Sequence, residues 1–270
     1  MIKGTSDMQQ RTHHRKRRIW LVIILIILGI WGIHRYGSLN NRLTSAWNKI
    51  IYTSNGNVSI AVYSPKTHRV YSAANKPNHK FHAASTVKVA ILAGILLKQP
   101  SGLTAHQESL ANAMIEQSDN TATTELFENY LGKQAGLQQT FDKFGMTDST
   151  ARENWGLSTT TPRDQIKLLN NIFYKSDILS SQQQQTIRSL MSNVDADQTW
   201  GISADSNNFA IKNGWLSYEG SGWIVNSIGY VKNNNGTDYT IAVYTDNNSS
   251  MAGGQQTIEQ LARVTKNAMK

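Results

Sequence analysis

The sequence contains no cysteine, which excludes disulfides, thiolate nucleophiles, Cys-based zinc sites and a lipid-modified Cys. No His/Glu pair stands at a ligand spacing such as H-E-x-x-H, so neither a metal nor any other cofactor is expected. Proline (four) and charged residues (17%) are scarce among the 270 positions. Together with 39% hydrophobic residues this excludes collagen-like and wholesale disordered chains and predicts a folded body with a sizeable core. The formal charge of +9 is unevenly spread: residues 1–36 hold seven Lys/Arg (Lys3, Arg11, Arg15, Lys16, Arg17, Arg18, Arg35) against Asp7. The remaining 20 basic and 17 acidic residues leave only +3. The excess sits on a short tail rather than a folded surface, and nucleic acid is not an expected partner.

The basic tail runs into Ile19 to Ile33, fifteen residues without a polar side chain. As a helix this covers roughly 22 Å, short of a ~30 Å hydrocarbon layer but extendable by snorkelling Arg18 and Arg35 and by Trp20, Trp31 and Tyr36 at the interfaces. A signal peptide should be followed by a small-residue A-x-A pattern, and here HRYGSLNNRL follows; an uncleaved anchor is favoured. RKRR before the apolar run places the N-terminus in the cytoplasm by the positive-inside rule and the body outside. The expected organisation is a basic cytoplasmic tail over 1–18, a single-pass anchor in lipid over 19–36 and an extracellular domain over 37–270.

Within that domain Leu39, Leu43, Trp47 and Ile50 recur at helical spacing, a stripe that should lie on a sheet. NVSIAVYS (57–64) alternates as a strand, Pro65 and Lys66 turn, and residues 68–73 form its hairpin partner. Signals are mostly helical from Ser85 to about residue 200. Strand patterns return at 209–213, 223–231 and 239–245, the last two joined by NNNG, and a helix over 255–269 closes the chain. The predicted fold is of α/β (α+β) type: a five-stranded antiparallel sheet flanked by terminal helices, with an all-helical subdomain inserted at about 86–205.

Three motifs carry chemistry. The helix TVKVAILAGILL is apolar all round except for Lys88, and a buried ammonium must be paired or must lose its proton and become a base. Ser85 stands three residues earlier, one turn away, giving S-x-x-K: a hydroxyl with a base beside it. By itself this pattern is also consistent with an N-capping serine and a snorkelling lysine. After an amphipathic helix come Ser118, Asp119 and Asn120, an S-D-N that could equally cap the following helix. Lys212, Asn213 and Gly214 end a strand in the last third of the chain. The informative feature is the order: a candidate nucleophile helix after two strands, S-D-N in the helical block, Lys-x-Gly on the third strand.

From about Asn57 onward the chain resembles the penicillin-recognising serine hydrolases, specifically the class A β-lactamase group, whose motif set is S-x-x-K, S-D-N and K-T-G. The resemblance rests on HAASTVKVAILAGILL, on MIEQSDNTATTEL, on TTTPRD (Thr159 to Asp164), similar to the family's start of the helix after its Ω loop, and on the terminal sheet and helix. It implies that Ser85 is the acylated nucleophile and Lys88 its base. It implies that Ser118 relays a proton to the leaving nitrogen, with Lys212 lowering that hydroxyl's pKa and attracting the substrate carboxylate. Asn120 would bond the substrate amide, and Asp119 would fix the turn. Gly214 precedes Trp215, whose backbone N–H with that of Ser85 would form the oxyanion hole.

Three departures bear on the substrate. Asn213 replaces the usual hydroxyl residue, so an amide would have to donate to the substrate carboxylate. The stretch TDSTARENWGLS carries Glu153 alone, without the family's Glu-x-x-x-Asn arrangement, and Glu153 reads as a solvated loop residue rather than an activator of deacylating water. Gly222 and Trp223 offer no Arg as a carboxylate clamp. The reading is a monomeric, membrane-anchored serine hydrolase that forms an acyl-enzyme with a β-lactam, a D-alanyl cell-wall peptide or another acyl compound and deacylates slowly. The alternative is a protein that binds or senses β-lactams or peptidoglycan without turnover. A base role for His79 or His82 lacks both G-x-S-x-G and a placed acid.

Overall fold

The computed structural model describes residues 20–24, 39–220 and 222–270. The chain divides into two compact units, Met1–Arg42 and Leu43–Lys270. In the first, residues 20–24 are helical. No helix among the described residues is long and apolar enough to cross a membrane; the tail at 1–18 and most of the predicted anchor at 19–36 lie outside the described residues.

The second unit is built on one antiparallel sheet. Its strands are β1 (Asn57–Ser64), β2 (Arg69–Ala74), β5 (Phe209–Tyr218), β6 (Gly222–Lys232) and β7 (Asp238–Asn248), in the order β2-β1-β7-β6-β5. This is the five-stranded antiparallel arrangement read from the strand patterns. Ala61, Ala210, Ile228, Ala242 and Tyr244 join the main core with the helical block. Their alternate neighbours Ile60, Ile241 and Val243 point to the opposite face and are equally buried. There the C-terminal helix α8 (Met251–Ala268) packs along β6 and β7. The first helix, α1 (residues 39–51), buries Leu43, Trp47 and Ile51. The i, i+4 spacing therefore continues to Ile51, and Ile50, assigned to the stripe from sequence, is only half-buried. The Trp47 indole N–H donates to Thr265 Oγ1 of α8 at 2.8 Å.

Helix α8 starts at Met251, ahead of the predicted Gln255. Gly253 and Gly254 read as breakers, but a Cβ at Gly254 would stand 2.6 Å from Val225 Cγ2. Glycine there lets the helix lie close on β6, and packing overrides propensity.

The helical block contains α2 (Lys88–Lys98), α3 (Ala105–Glu116), α4 (Asn120–Glu125), α5 (Lys133–Lys143), α6 (Pro162–Phe173) and α7 (Ser181–Ser192). Helix α2 is its axis, with every residue from Lys88 to Leu96 buried. A two-stranded ribbon of β3 (Phe81–His82) and β4 (Thr159–Thr160) joins the segment before α2 to the loop before α6. That loop is fixed at its start by the buried Asp164 carboxylate. It accepts from the Asp148 N–H (2.8 Å) and Ser149 Oγ (2.9 Å) and pairs with Lys167 Nζ (2.7 Å). Asp164→Ala orphans these donors at once and should cost about 3 kcal/mol, read as a lowered urea midpoint; an unchanged midpoint would show that the loop is held elsewhere.

Candidate active site

Ser85 lies in a 3₁₀ turn, Ala84–Val87, that leads into α2, one turn before the regular helix expected at that position. In 3₁₀ geometry residues three apart eclipse, so the face shared by Ser85 and Lys88 survives the change of helix type. Ala84, immediately before, is left-handed with φ 48°, a conformation that a non-glycine residue keeps only when its surroundings impose it. They do so here: Asn226 Nδ2 donates to the carbonyls of His82 (2.9 Å) and Ala83 (3.2 Å), while its Oδ1 accepts from the Thr245 N–H (3.2 Å). Thr86 Oγ1 bonds Ala83 O (2.7 Å) and meets Tyr244 OH at 2.6 Å. Asn226 and Tyr244 thus clamp the Ser85 segment to the sheet. The sequence signal for the first was a polar amide inside the apolar strand WIVNSIGYV.

The Lys88 side chain is fully buried. Its Nζ donates to Ser118 O (2.7 Å), Ser118 Oγ (3.2 Å) and Asn120 Oδ1 (2.8 Å). S-x-x-K and S-D-N, 30 residues apart, therefore meet at one amine. Ser118 is itself left-handed (φ 60°). Asp119 is the N-cap of α4, accepting from the Ala122 N–H at 2.6 Å, a turn-fixing contact. Burial pushes the Lys88 amine down from 10.5 to about 7, opposed by the Asp119 carboxylate. At neutral pH it can both donate and accept a proton.

Lys212 is also buried, on β5, and among the described residues nothing accepts from its Nζ. Burial lowers its amine to about 7 as well; the Lys88 charge is the second cause and Asp197 opposes both. The two amines occupy one electrostatic site, where loss of a proton from either favours retention by the other. Two residues on, Gly214 touches the turn that carries Ser85: a Cβ there would stand 2.7 Å from Ser85 N and 2.8 Å from Thr86 N. Backbone approach requires glycine and brings the strand carrying Trp215 alongside Ser85.

Asn213 takes a different orientation from the one its sequence position suggested. Its side-chain nitrogen donates to the Gln198 (2.8 Å) and Trp200 (2.9 Å) carbonyls, and the residue is 1% exposed. The amide anchors the 198–200 segment below Trp200, whose ring lies edge-on to Trp215 (centroids 5.8 Å, 63°). A substrate carboxylate would find these two N–H groups already engaged.

The loop over 147–158 sends Trp155 to the site: Lys88 Nζ lies 5.1 Å from its ring centroid, and its indole N–H donates to Thr124 Oγ1 at 3.3 Å. Glu153 is exposed. The ribbon holds the loop against the segment before Ser85 through Ala83 N–H to Ser158 O (2.8 Å) and His82 Nδ1 with Leu157 O (2.9 Å). His79, the other histidine considered from sequence, faces Asp246 Oδ2 at 2.6 Å.

Residues 93–269 match the beta-lactamase enzyme family (Beta-lactamase2). The chain belongs to this family. Among solved structures it is similar to a mutant of PBP-A in an acyl-enzyme complex with penicillin G: TM-score 0.73, 22% identity, covering 84% of this chain and 96% of that one. A class A beta-lactamase representative from Bacteroides cellulosilyticus DSM 14838 gives 0.72 at 17% identity, covering 85% and 98%. The TLA-3 extended-spectrum beta-lactamase gives 0.73 at 17%, covering 84% and 98%. At these identities the likeness shows the fold. No curated protein matches the chain.

Because a buried amine without an acceptor disfavours folding, Lys212→Met should stabilise the protein by about 1–3 kcal/mol at pH 7. The sign follows from its lowered pKa. The unfolded chain binds the proton more tightly, so this residue's cost is greatest at and below pH 7 and fades as pH rises toward 10.5. Urea unfolding at pH 7 and pH 10 should show the variant's advantage shrinking; a destabilised variant would mean that Lys212 is paired.

Proposed function

We propose that the protein is a membrane-anchored, extracytoplasmic serine hydrolase that forms an acyl-enzyme on Ser85 with a β-lactam or a D-alanyl peptide and releases it slowly. The observation that carries this reading is the convergence of Ser118 and Asn120 on the Lys88 amine, one turn from Ser85 and in the field of Lys212. Neutral Lys88 takes the Ser85 proton as Oγ attacks the acyl carbon. Backbone N–H groups of Ser85 and Trp215 receive the charge that develops on the acyl oxygen. Ser118 passes a proton to the leaving nitrogen as the acyl–nitrogen bond breaks, and its own is replaced from Lys88. Lys212 draws in the substrate carboxylate, and Asn120 bonds the substrate amide.

Water must then cleave the Ser85 ester, which needs a base. The loop turns an indole rather than a carboxylate toward Lys88, and Glu153 faces solvent. This favours a long-lived adduct. The PBP-A neighbour, named as an acyl-enzyme complex with penicillin G, supports the same class of substrate. A second reading, a protein that senses β-lactams or holds peptidoglycan without turnover, is favoured by the same loop; a sensor differs in the deacylation rate and an inert binder forms no adduct.

Full-length protein in detergent, incubated with a fluorescent penicillin and followed by intact mass, should gain an adduct that persists for minutes or more. Ser85→Ala should lose it with little change in stability; an adduct on that variant would place the nucleophile elsewhere. Glu153→Gln should leave the adduct lifetime unchanged, whereas loss of a general base typically costs 10²- to 10⁴-fold. The acylation rate should climb with pH through about 7, where Lys88 gives up its proton, and a profile flat from pH 5 to 9 would remove Lys88 as the base. In topology, protease added to intact spheroplasts should digest the domain, and its protection would overturn the outward orientation.

A further inference from the structure

A row of residues running across the sheet faces the Ser85 turn. Gly214 on β5 stands directly opposite Asn226 on β6, and Asn226 stands opposite Tyr244 on β7; residues opposed in this way point to the same face. Each meets a different part of the 82–86 segment. Gly214 lies against the Ser85 and Thr86 nitrogens, the Asn226 amide donates to the His82 and Ala83 carbonyls, and the Tyr244 hydroxyl meets Thr86 Oγ1. Asn226, in the middle, is completely buried. Its Oδ1 accepts from the Thr245 N–H, beside the register shift of β6 and β7 between Trp223 and Val225. The amide therefore has one orientation: reversed, it would set oxygen against two carbonyls and its own N–H groups against another N–H.

Three donors converge on the Ala83 carbonyl: Asn226 Nδ2 (3.2 Å), the Thr86 N–H (3.2 Å) and Thr86 Oγ1 (2.7 Å). The bond from the Thr86 N–H closes a turn whose two central residues are Ala84 and Ser85. The peptide unit between those two carries the Ser85 N–H, the donor assigned above to the acyl oxygen. Its direction is set by the dihedrals of Ala84, whose φ of 48° is a conformation that alanine holds against its own preference. We propose that Asn226 is a positioning residue for acyl transfer, which fixes the Ala83 carbonyl, keeps Ala84 left-handed and so aims the Ser85 N–H at the acyl oxygen. The inference rests on the acyl-enzyme function proposed above and adds to it a residue that touches neither the substrate nor the reacting atoms. An oxyanion donor is effective when it is already in place as charge develops, and a misplacement of about 1 Å can cost about a hundredfold in rate. Asn226 thus bears on the rate of acylation and not on the affinity for substrate.

The decisive variant is Asn226→Leu, close in size, uncharged and without hydrogen-bonding groups. Full-length protein in detergent is mixed with a fluorescent penicillin over a range of concentrations, and adduct formation is timed by intact mass. The limiting acylation rate should fall about tenfold or more. Half-saturation should stay within about twofold of the parent protein's, and the pH midpoint of acylation should not move, because Lys88 keeps its three oxygens. Adding Ala84→Gly to this variant should recover about threefold or more of the rate, since glycine takes the left-handed conformation unaided. Urea unfolding checks each variant; should Asn226→Leu fail to fold, Asn226→Ser, which also removes the amide, is read in the same way. An unchanged limiting rate, a loss confined to half-saturation, a moved pH midpoint or no recovery from Ala84→Gly overturns the positioning role and leaves the acyl-enzyme reading standing. Absence of any adduct on the unaltered protein defeats that reading, and the role of Asn226 with it.

Discussion

A lysine amine buried among protein oxygens is the constraint from which the rest of the site follows. Lys88 opens α2, buried from Lys88 to Leu96, where an ammonium without partners would be costly. Three oxygens from Ser118 and Asn120 surround it, and their position requires the left-handed turn at Ser118 and the Asp119 cap that ends it. The strain of one residue and the burial of another are thus two sides of one arrangement. Its result is an amine near neutrality, the condition under which a lysine can move protons at physiological pH.

The sheet's contribution is to carry a second amine on an edge strand and to hold the Ser85 turn in place. Gly214 allows β5 to approach the Ser85 backbone, and Asn226 and Tyr244 reach from β6 and β7 to the carbonyls and hydroxyl beside it. No single element contains the site; it exists where the helical block and the sheet meet. A change at this junction is therefore felt in the fold and in the chemistry together, as expected where polar groups are buried in one network.

Much of this was legible in the sequence because the strongest local signals agree with the global fold. Alternation in NVSIAVYS and its partner strands marks the sheet, and one lysine in an otherwise apolar helix is hard to mistake. Two kinds of information were not local. Packing let α8 begin through Gly253 and Gly254, residues that intrinsic propensity treats as a break. The orientation of a side chain on an edge strand was equally hidden: Asn213 engages the 198–200 carbonyls, an outcome set by a segment with no regular pattern of its own. Trp155 could have been suspected as a large apolar residue in a polar loop, but its place over Lys88 depends on the β3–β4 ribbon, whose two-residue strands are too short to announce themselves.

The bond between Trp47 and Thr265 spans 218 residues of sequence, and β1 likewise finds its central neighbour in β7. The first strand pairs at once with β2 on one edge, but its β7 edge and the helix before it cannot find these partners until the end of the chain exists. At a synthesis rate of about 5–20 residues per second, the emerging N-terminal segment waits roughly ten to forty seconds with an unpaired strand edge. Such a chain profits from having its early segment kept away from other copies during that interval.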